Sequence, residues 1–189
     1  MKKIAITGNI ASGKTLAEEY LKSLYPTIDT DKVAHSLLEN FKDEIIFAFK
    51  EYEILEKGKI SRKKLAKIVF DDEKLRKKLE KIIHPKIKDE IELFFEKNKN
   101  HNLVFVGIPL LFEAHFEDLF DKIIFVYAND KLRTKRLIER NNLTEKEALL
   151  RINSQIPQEE KIMKSDYVIK NETDIKSFYK ELDKILEKL

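Results

Sequence analysis

Residues 8–15 read Gly-Asn-Ile-Ala-Ser-Gly-Lys-Thr, which matches the phosphate-binding loop pattern G-x-x-x-x-G-K-[ST]. A short apolar, β-rich run (residues 3–7) precedes the loop, and apolar residues at helical spacing follow it from 16 to 24. A strand, a tight loop and a helix start bring backbone N–H groups and the positive end of a helix dipole to one anion. The motif in this context predicts a site for a nucleoside triphosphate.

The motif also predicts what its side chains do. Lys14 is expected to reach the β- and γ-phosphates, and the hydroxyl of Thr15 is expected to bind Mg²⁺. The loop and the residue after it are therefore candidate nucleotide contacts: Gly8, Asn9, Ile10, Ala11, Ser12, Gly13, Lys14, Thr15 and Leu16.

The motifs by which GTPases sense the γ-phosphate and read guanine are missing. No Asp-x-x-Gly occurs anywhere in the chain. Asn98-Lys99 is followed by Asn100-His101, where the guanine motif needs an aspartate at the last position. We therefore expect ATP, with Mg²⁺, to be the phosphoryl donor.

Composition narrows the class of protein. The 189 residues suffice for one domain, and 37 basic against 34 acidic residues give a net charge of +3, too small to indicate a nucleic-acid partner. The chain has no cysteine, which excludes disulfides and thiolate metal sites. Neither a signal peptide nor a long apolar run is present. We expect a cytoplasmic protein with no membrane segment and no obligate protein partner.

Apolar runs and helical patterns alternate along the chain, as in a doubly wound parallel sheet. The helix after 174 is expected to be capped by Asp174, and Thr144 with Glu147 forms the capping box of a helix reaching about Asn153. Five strands are predicted, at residues 3–7, 27–29, 103–108, 122–127 and 167–169.

The stretch from about 32 to 100 has no convincing strand and reads as several amphipathic helices. Breaks are expected at Asn40, at Gly58 and at His84-Pro85, with Pro85 at the first position of a new helix. So long a helical stretch exceeds a simple crossover between strands. We predict one domain over 1–189 with a helical insertion at about 32–100, overhanging the carboxyl edge of the sheet.

Ile28-Asp29-Thr30-Asp31 lies where the second strand is expected to end. A kinase that acts on a hydroxyl group needs a carboxylate to accept the proton and orient the oxygen. Alternatively, Asp29 caps the helix that begins near Asp31. The two interpretations are compatible if Asp29 caps and Asp31 is catalytic.

Arg133, Arg136 and Arg140 lie on one face of the helix predicted from 130 to 140. They suit a lid over about 130–160 that closes on transferring phosphates, or simply a solvated helix face. The run Pro109-Leu-Leu-Phe-Glu113 after a strand either lines a pocket or begins a buried helix.

In this order the segments resemble the dephospho-coenzyme A kinase family, over essentially the whole chain. The resemblance rests on these motifs: the Thr7-Gly8 to Thr15 loop, Asp29-Thr-Asp31, Gly58-Lys-Ile-Ser-Arg62 leading to Val69-Phe70, His84-Pro85, Pro109-Leu-Leu-Phe-Glu113, Arg136-Leu-Ile-Glu-Arg140, Arg151-Ile with Gln155, and Ser165-Asp166-Tyr-Val-Ile-Lys-Asn171.

The resemblance implies transfer of the ATP γ-phosphate to the ribose 3′-hydroxyl of dephospho-coenzyme A, the last step of coenzyme A synthesis. It implies that Asp31 is the base, that Arg140 contacts phosphates from the lid while Arg133 matters less, and that Asn171 lies near adenine, with Arg136 also on the nucleotide. The insertion is expected to hold the acceptor, whose candidate contacts are Asp31, His84, Lys86, Pro109, Leu110 and Leu111.

Two other functions remain open on the residues alone. One is a P-loop kinase for a nucleoside, nucleotide or shikimate-like acceptor, and the other is a non-catalytic protein whose helical insertion is ordered by ATP. ADP release compared across acceptors tests the first alternative, and nucleotide binding without acceptor-dependent turnover would favour the second.

Four positions depart from the family's usual pattern. The loop usually has glycine where this chain has Asn9 and Ala11, so that phosphate binding there is expected to require negative φ at both. Many members have an acidic residue at the position of Gly107, and the usual glycine after Asn171 is replaced by Glu172.

Overall fold

The computed structural model describes residues 1–189, which form two compact units. Unit 1 comprises Met1–Asp29 and Lys97–Leu189, and unit 2 comprises Thr30–Glu96. In chain order the strands are β1 Lys2–Thr7, β2 Thr27–Asp29, β3 Leu55–Glu56, β4 Lys59–Ile60, β5 Leu103–Gly107, β6 Lys122–Tyr127 and β7 Tyr167–Lys170. The helices are α1 Lys14–Lys22, α2 Thr30–Asn40, α3 Lys42–Ala48, α4 Arg62–Asp71, α5 Glu73–Lys97, α6 Asp130–Asn141, α7 Glu145–Asn153, α8 Gln158–Met163 and α9 Ile175–Leu186, with a short 3₁₀ helix at Glu117–Leu119.

Unit 1 is built on a five-stranded sheet in the order β2-β5-β1-β6-β7, and every pair is parallel. β1 is the central strand, and its Ile6 pairs with Gly107 of β5 on one side and Ile124 of β6 on the other. The predicted parallel sheet and its five strands are confirmed. Because all strands point the same way, the loops after β1, β2, β5, β6 and β7 leave from one edge.

The core of unit 1 forms where α1 and α9 cover the sheet. Fully buried side chains of β1, such as Ile4 and Ile6, pack with Leu21 of α1 and with Phe178 and Leu182 of α9. The predicted caps are confirmed: Asp174 accepts the N–H of Ser177 at the start of α9, and Thr144 with Glu147 forms a complete capping box before α7.

Unit 2 corrects two predictions for the stretch 32–100. It contains a small antiparallel hairpin, β3–β4, turned by Lys57 and Gly58 in left-handed conformations, where no strand was expected. Pro85 does not begin a helix but lies inside α5. The helix continues because buried Ile83 and Ile87 anchor it on both sides, which offsets the hydrogen bond that a proline removes. No helix of the protein is both long and apolar enough to cross a membrane.

Candidate active site

The loop between β1 and α1 has room for glycine alone at its two glycine positions. A Cβ at residue 8 would lie 2.5 Å from Ser12 Oγ and 2.6 Å from the carbonyl oxygen of Val126. Gly13 has φ +100°, and a Cβ there would lie 1.9 Å from Nδ2 of Asn171. These close contacts fix the path of the loop and explain the motif's glycines physically.

The expected negative φ at Ala11 is wrong, because Ala11 has φ +61°, in the left-handed region. Asn9 is not among the residues with positive φ. The carbonyl oxygen of Ala11 accepts a hydrogen bond from Nη1 of Arg136 at 3.2 Å, so a half-buried cation holds the strained residue in place. An L-residue in this region costs about 1–2 kcal/mol, which the packing around the loop offsets.

The loop retains N–H donors that the protein does not use. The backbone N–H of Ser12 donates to Asn9 O and closes a turn, and the backbone N–H of Ile10 donates to Oε1 of Gln155. By contrast, the backbone N–H groups of residues 11, 13, 14 and 15 make no hydrogen bond within the protein. The buried hydroxyls of Thr7 and Ser12 also have no partner. Unused donors at a helix start, in a loop with alternating left-handed residues, fit the phosphates of a nucleotide.

Arg136 and Asn171 brace the loop. Nη1 of Arg136 donates to the carbonyls of Ala11 and Ser12, both at 3.2 Å, and Nη2 donates to Asn171 O at 3.0 Å. The side-chain amide of Asn171 donates to Ser12 O at 2.8 Å. Burial lowers the pKa of the Arg136 guanidinium, and the charge of Glu172 partly opposes that shift. Both residues therefore shape the loop, and their direct contact with nucleotide stays a prediction.

The three arginines of α6 do not share one environment. Arg133 is 2% exposed, with Nη2 2.7 Å from Oδ1 of Asp130 and Nη1 3.5 Å from Ile10 O. Arg140 is exposed, and its Nε donates to Oδ1 of Asn141 at 3.0 Å. The solvated-face interpretation is therefore wrong for Arg133, because the helix turns this end of the stripe toward the loop. The family pattern did not indicate that burial.

Lys14 is held by a partner that the sequence analysis missed. Its Nζ lies 2.6 Å from Oε1 of Glu18, and the two side chains are only 10% and 7% exposed. The spacing i, i+4 on α1 was the available signal for this pair. Thr15, in the first turn of α1, is exposed, and Leu16 after it is half-buried.

The segment after β5 forms consecutive turns rather than a helix, so the buried-helix alternative for 109–113 is wrong. Leu111 is buried, Pro109 is half-buried and Leu110 is exposed. Glu113 ends the run and pairs with the buried Lys161 of α8 at 2.6 Å, while its second oxygen is buried without a partner. No sequence spacing indicates this pair, because 48 residues separate its members.

Further polar contacts involve the segments that follow β6 and β7. The side-chain amide of Asn9 donates to Ile156 O at 2.9 Å. Glu172, which replaces the family's usual glycine, accepts from the backbone and side-chain N–H groups of Asn129, the residue that caps α6. Asn129 and Glu172 thereby link the ends of β6 and β7.

The other predicted site residues lie in unit 2. Asp31 is exposed in the first turn of α2, two residues after β2 ends at Asp29. His84 and Lys86 are half-buried on α5. Nζ of Lys86 lies 3.0 Å from Oε2 of Glu44 and 4.1 Å from the centre of the Phe41 ring.

Comparison with known proteins gives one consistent family. The model of the dephospho-CoA kinase family matches residues 2–177. A dephospho-CoA kinase of Listeria innocua serovar 6a is 40% identical over 195 residues, which cover 99% of this chain and 96% of that protein. The crystal structure of TT1252 from Thermus thermophilus is similar at a TM-score of 0.85 and 34% identity, covering 100% of this chain and 97% of that one. A dephospho-CoA kinase from Campylobacter jejuni has a TM-score of 0.74 and 34% identity over 98% of this chain and 95% of its own.

Proposed function

Because this chain belongs to the dephospho-CoA kinase family, we propose that it transfers the γ-phosphate of ATP to the ribose 3′-hydroxyl of dephospho-CoA, the last step of coenzyme A synthesis. The observation that carries the proposal is the loop 8–15, with its four unused N–H donors, in a chain that matches the family over residues 2–177. The comparisons favour neither a nucleoside acceptor nor a non-catalytic binding protein.

The loop binds the donor. The N–H groups of 11, 13, 14 and 15 hold phosphate oxygens, and Lys14 releases Glu18 to neutralise the charge that develops on the transferring group. A Mg²⁺ ion bound with ATP would supply positive charge to the phosphates. The hydroxyl of Thr15, at the Ser/Thr position of the loop in the first turn of α1, would hold this ion.

Asp31 activates the acceptor. Its carboxylate accepts the proton of the 3′-hydroxyl while the new O–P bond forms at the γ-phosphorus and the bond from that phosphorus to the bridging oxygen breaks, which releases ADP. Asp29, directly before the first residue of α2, stands at the cap position of that helix.

The candidate acceptor contacts are His84 and Lys86 of unit 2 and, in unit 1, residues of the turn after β5. Lys86 supplies a cation for the acceptor's phosphates, and His84 lies on the same helix. Leu110 and Pro109 offer apolar contact, and buried Leu111 anchors the turn that carries them. Residues 130–160 act as a lid, with exposed Arg140 as the cation that meets the phosphates in the closed state. Arg136 and Asn171 support nucleotide binding because their side chains donate hydrogen bonds to carbonyl oxygens of the phosphate-binding loop.

Replacing each of two neighbouring aspartates by asparagine, in separate variants, tests the proposal. Asp31→Asn keeps shape and removes basicity, so we expect turnover of dephospho-CoA to fall about 10²–10⁴-fold while Mg·ADP affinity, measured by calorimetry, stays within a few-fold. Asp29→Asn is the matched control and keeps its activity, because asparagine caps helices as well as aspartate. An active Asp31→Asn with an inactive Asp29→Asn would mean that the two roles are exchanged.

A further inference from the structure

The strand beside the phosphate-binding loop ends without an acidic residue. β5 pairs with β1 and ends at Gly107, opposite Ile6 of β1. P-loop enzymes commonly hold Mg²⁺ between the loop's Ser or Thr hydroxyl and an aspartate at the end of a nearby strand. The chain supplies the hydroxyl at Thr15, but the end of β5 carries no carboxylate.

A carboxylate nevertheless occupies that place, and it comes from α1. A Cβ at residue 107 would lie 1.4 Å from Oε1 of Glu18 and 2.5 Å from its Cδ. The Glu18 side chain therefore fills the volume that a side chain at 107 would take. Glycine at residue 107, in a strand where glycine is otherwise unfavourable, leaves this volume to the Glu18 side chain.

The environment of Glu18 suits a group that faces a cation. Glu18 is buried, and a buried carboxylate is costly unless it is paired. In the structure its oxygen lies 2.6 Å from Nζ of Lys14. Once Lys14 turns to the phosphates of a nucleotide, that cation moves away from Glu18. Thr15 precedes Glu18 by three residues, so both side chains leave the same face of α1.

We propose that Glu18 supplies, from helix α1, the carboxylate on the metal side of the triphosphate site. It holds Lys14 in the free protein, and it orients the water shell of Mg²⁺ when a magnesium nucleotide is bound. The role rests on the proposed function insofar as it needs a magnesium nucleotide in the loop, but not on the identity of the acceptor.

The test compares binding of ADP with and without Mg²⁺, by calorimetry, in Glu18→Gln and in the control Glu19→Gln, an exposed residue on the same turn. We expect Glu18→Gln to weaken Mg·ADP about 10-fold or more, the scale for groups that orient a metal's ligands. The same variant binds metal-free ADP as well as wild type or more tightly, because a negative charge near the phosphates has gone. Glu19→Gln changes neither affinity.

A residue that only supports the fold would change both affinities in the same direction, so an equal change, or none, overturns the proposal. If wild type itself shows no binding of Mg·ADP, the nucleotide site fails and the proposed function falls with it. A normal Mg·ADP response with no turnover of dephospho-CoA would leave Glu18 in its role and reject the acceptor.

Relocation of the carboxylate provides an independent test. Gly107→Asp alone displaces the Glu18 side chain and places a second carboxylate beside it, so it is expected to unfold at lower temperature, whereas Glu18→Ala with Gly107→Asp has room for the new side chain. We expect the double variant to recover most of the Mg²⁺ dependence of ADP binding that Glu18→Ala loses. A double variant that folds, as judged by circular dichroism, but stays as indifferent to Mg²⁺ as Glu18→Ala would overturn the proposal.

Discussion

Ala11→Gly should stabilise the protein, which is unusual for an alanine-to-glycine change. Ala11 has φ +61°, where an L-residue costs about 1–2 kcal/mol and glycine costs nothing. Glycine in turn adds about 0.4–1 kcal/mol of backbone entropy to the unfolded chain. The balance is a gain of about 0.5–1 kcal/mol, which raises Tm by about 1–4 °C at about 2–4 °C per kcal/mol for a chain of this length.

Thermal and urea unfolding measure this gain, with Ala17→Gly as the matched control. Ala17 is buried in α1 of the same unit, so the same change there costs about 1–2 kcal/mol through helix propensity and a lost methyl contact. Because the N–H of residue 11 is retained, Mg·ADP affinity is expected to stay within about two-fold. A loss of stability at Ala11 as large as that at Ala17 would refute the left-handed conformation and the strain argument.

Two further predictions concern stability. Lys161→Met leaves the carboxylate of Glu113 without its cation, so we expect a loss of up to about 3–5 kcal/mol in urea unfolding, while the exposed control Lys164→Met stays within about 0.5 kcal/mol. Hydrogen bonds from Thr144 lower the pKa of Glu147, so its stabilising effect is complete above the ordinary pKa of 4.5 and is lost as pH falls through the lower folded-state value. The urea midpoint of Glu147→Gln should therefore depend less on pH than that of wild type below pH 4.5, and parallel curves would contradict the cap.

Local sequence patterns predicted those elements whose structure is determined by residues within one short segment. The glycines and the lysine of residues 8–15 predicted the phosphate-binding loop, and continuous apolar runs predicted the buried strands. The helix starts at Asp174 and Thr144 were predicted because a cap needs only residues three or four positions apart.

The parts that failed depend on contacts between distant segments. Pro85 continues a helix because residues on either side of it are buried, which outweighs its local preference. The left-handed φ of Ala11 is held by a hydrogen bond that Arg136, 125 residues away, donates to the Ala11 carbonyl oxygen. The burial of Arg133 follows from how α6 lies on the loop, and no spacing within the helix distinguishes it from Arg140.

If this chain phosphorylates the ribose 3′-hydroxyl of dephospho-CoA, the identity of the reaction product will show it. We would incubate the protein with ATP, Mg²⁺ and dephospho-CoA and follow the reaction by ³¹P NMR, with adenosine, AMP and shikimate as competing acceptors. We expect one ADP for each new 3′-phosphomonoester, formed on dephospho-CoA in preference to the other acceptors. ADP release that does not depend on dephospho-CoA, or phosphate found on another acceptor first, would contradict the proposed function.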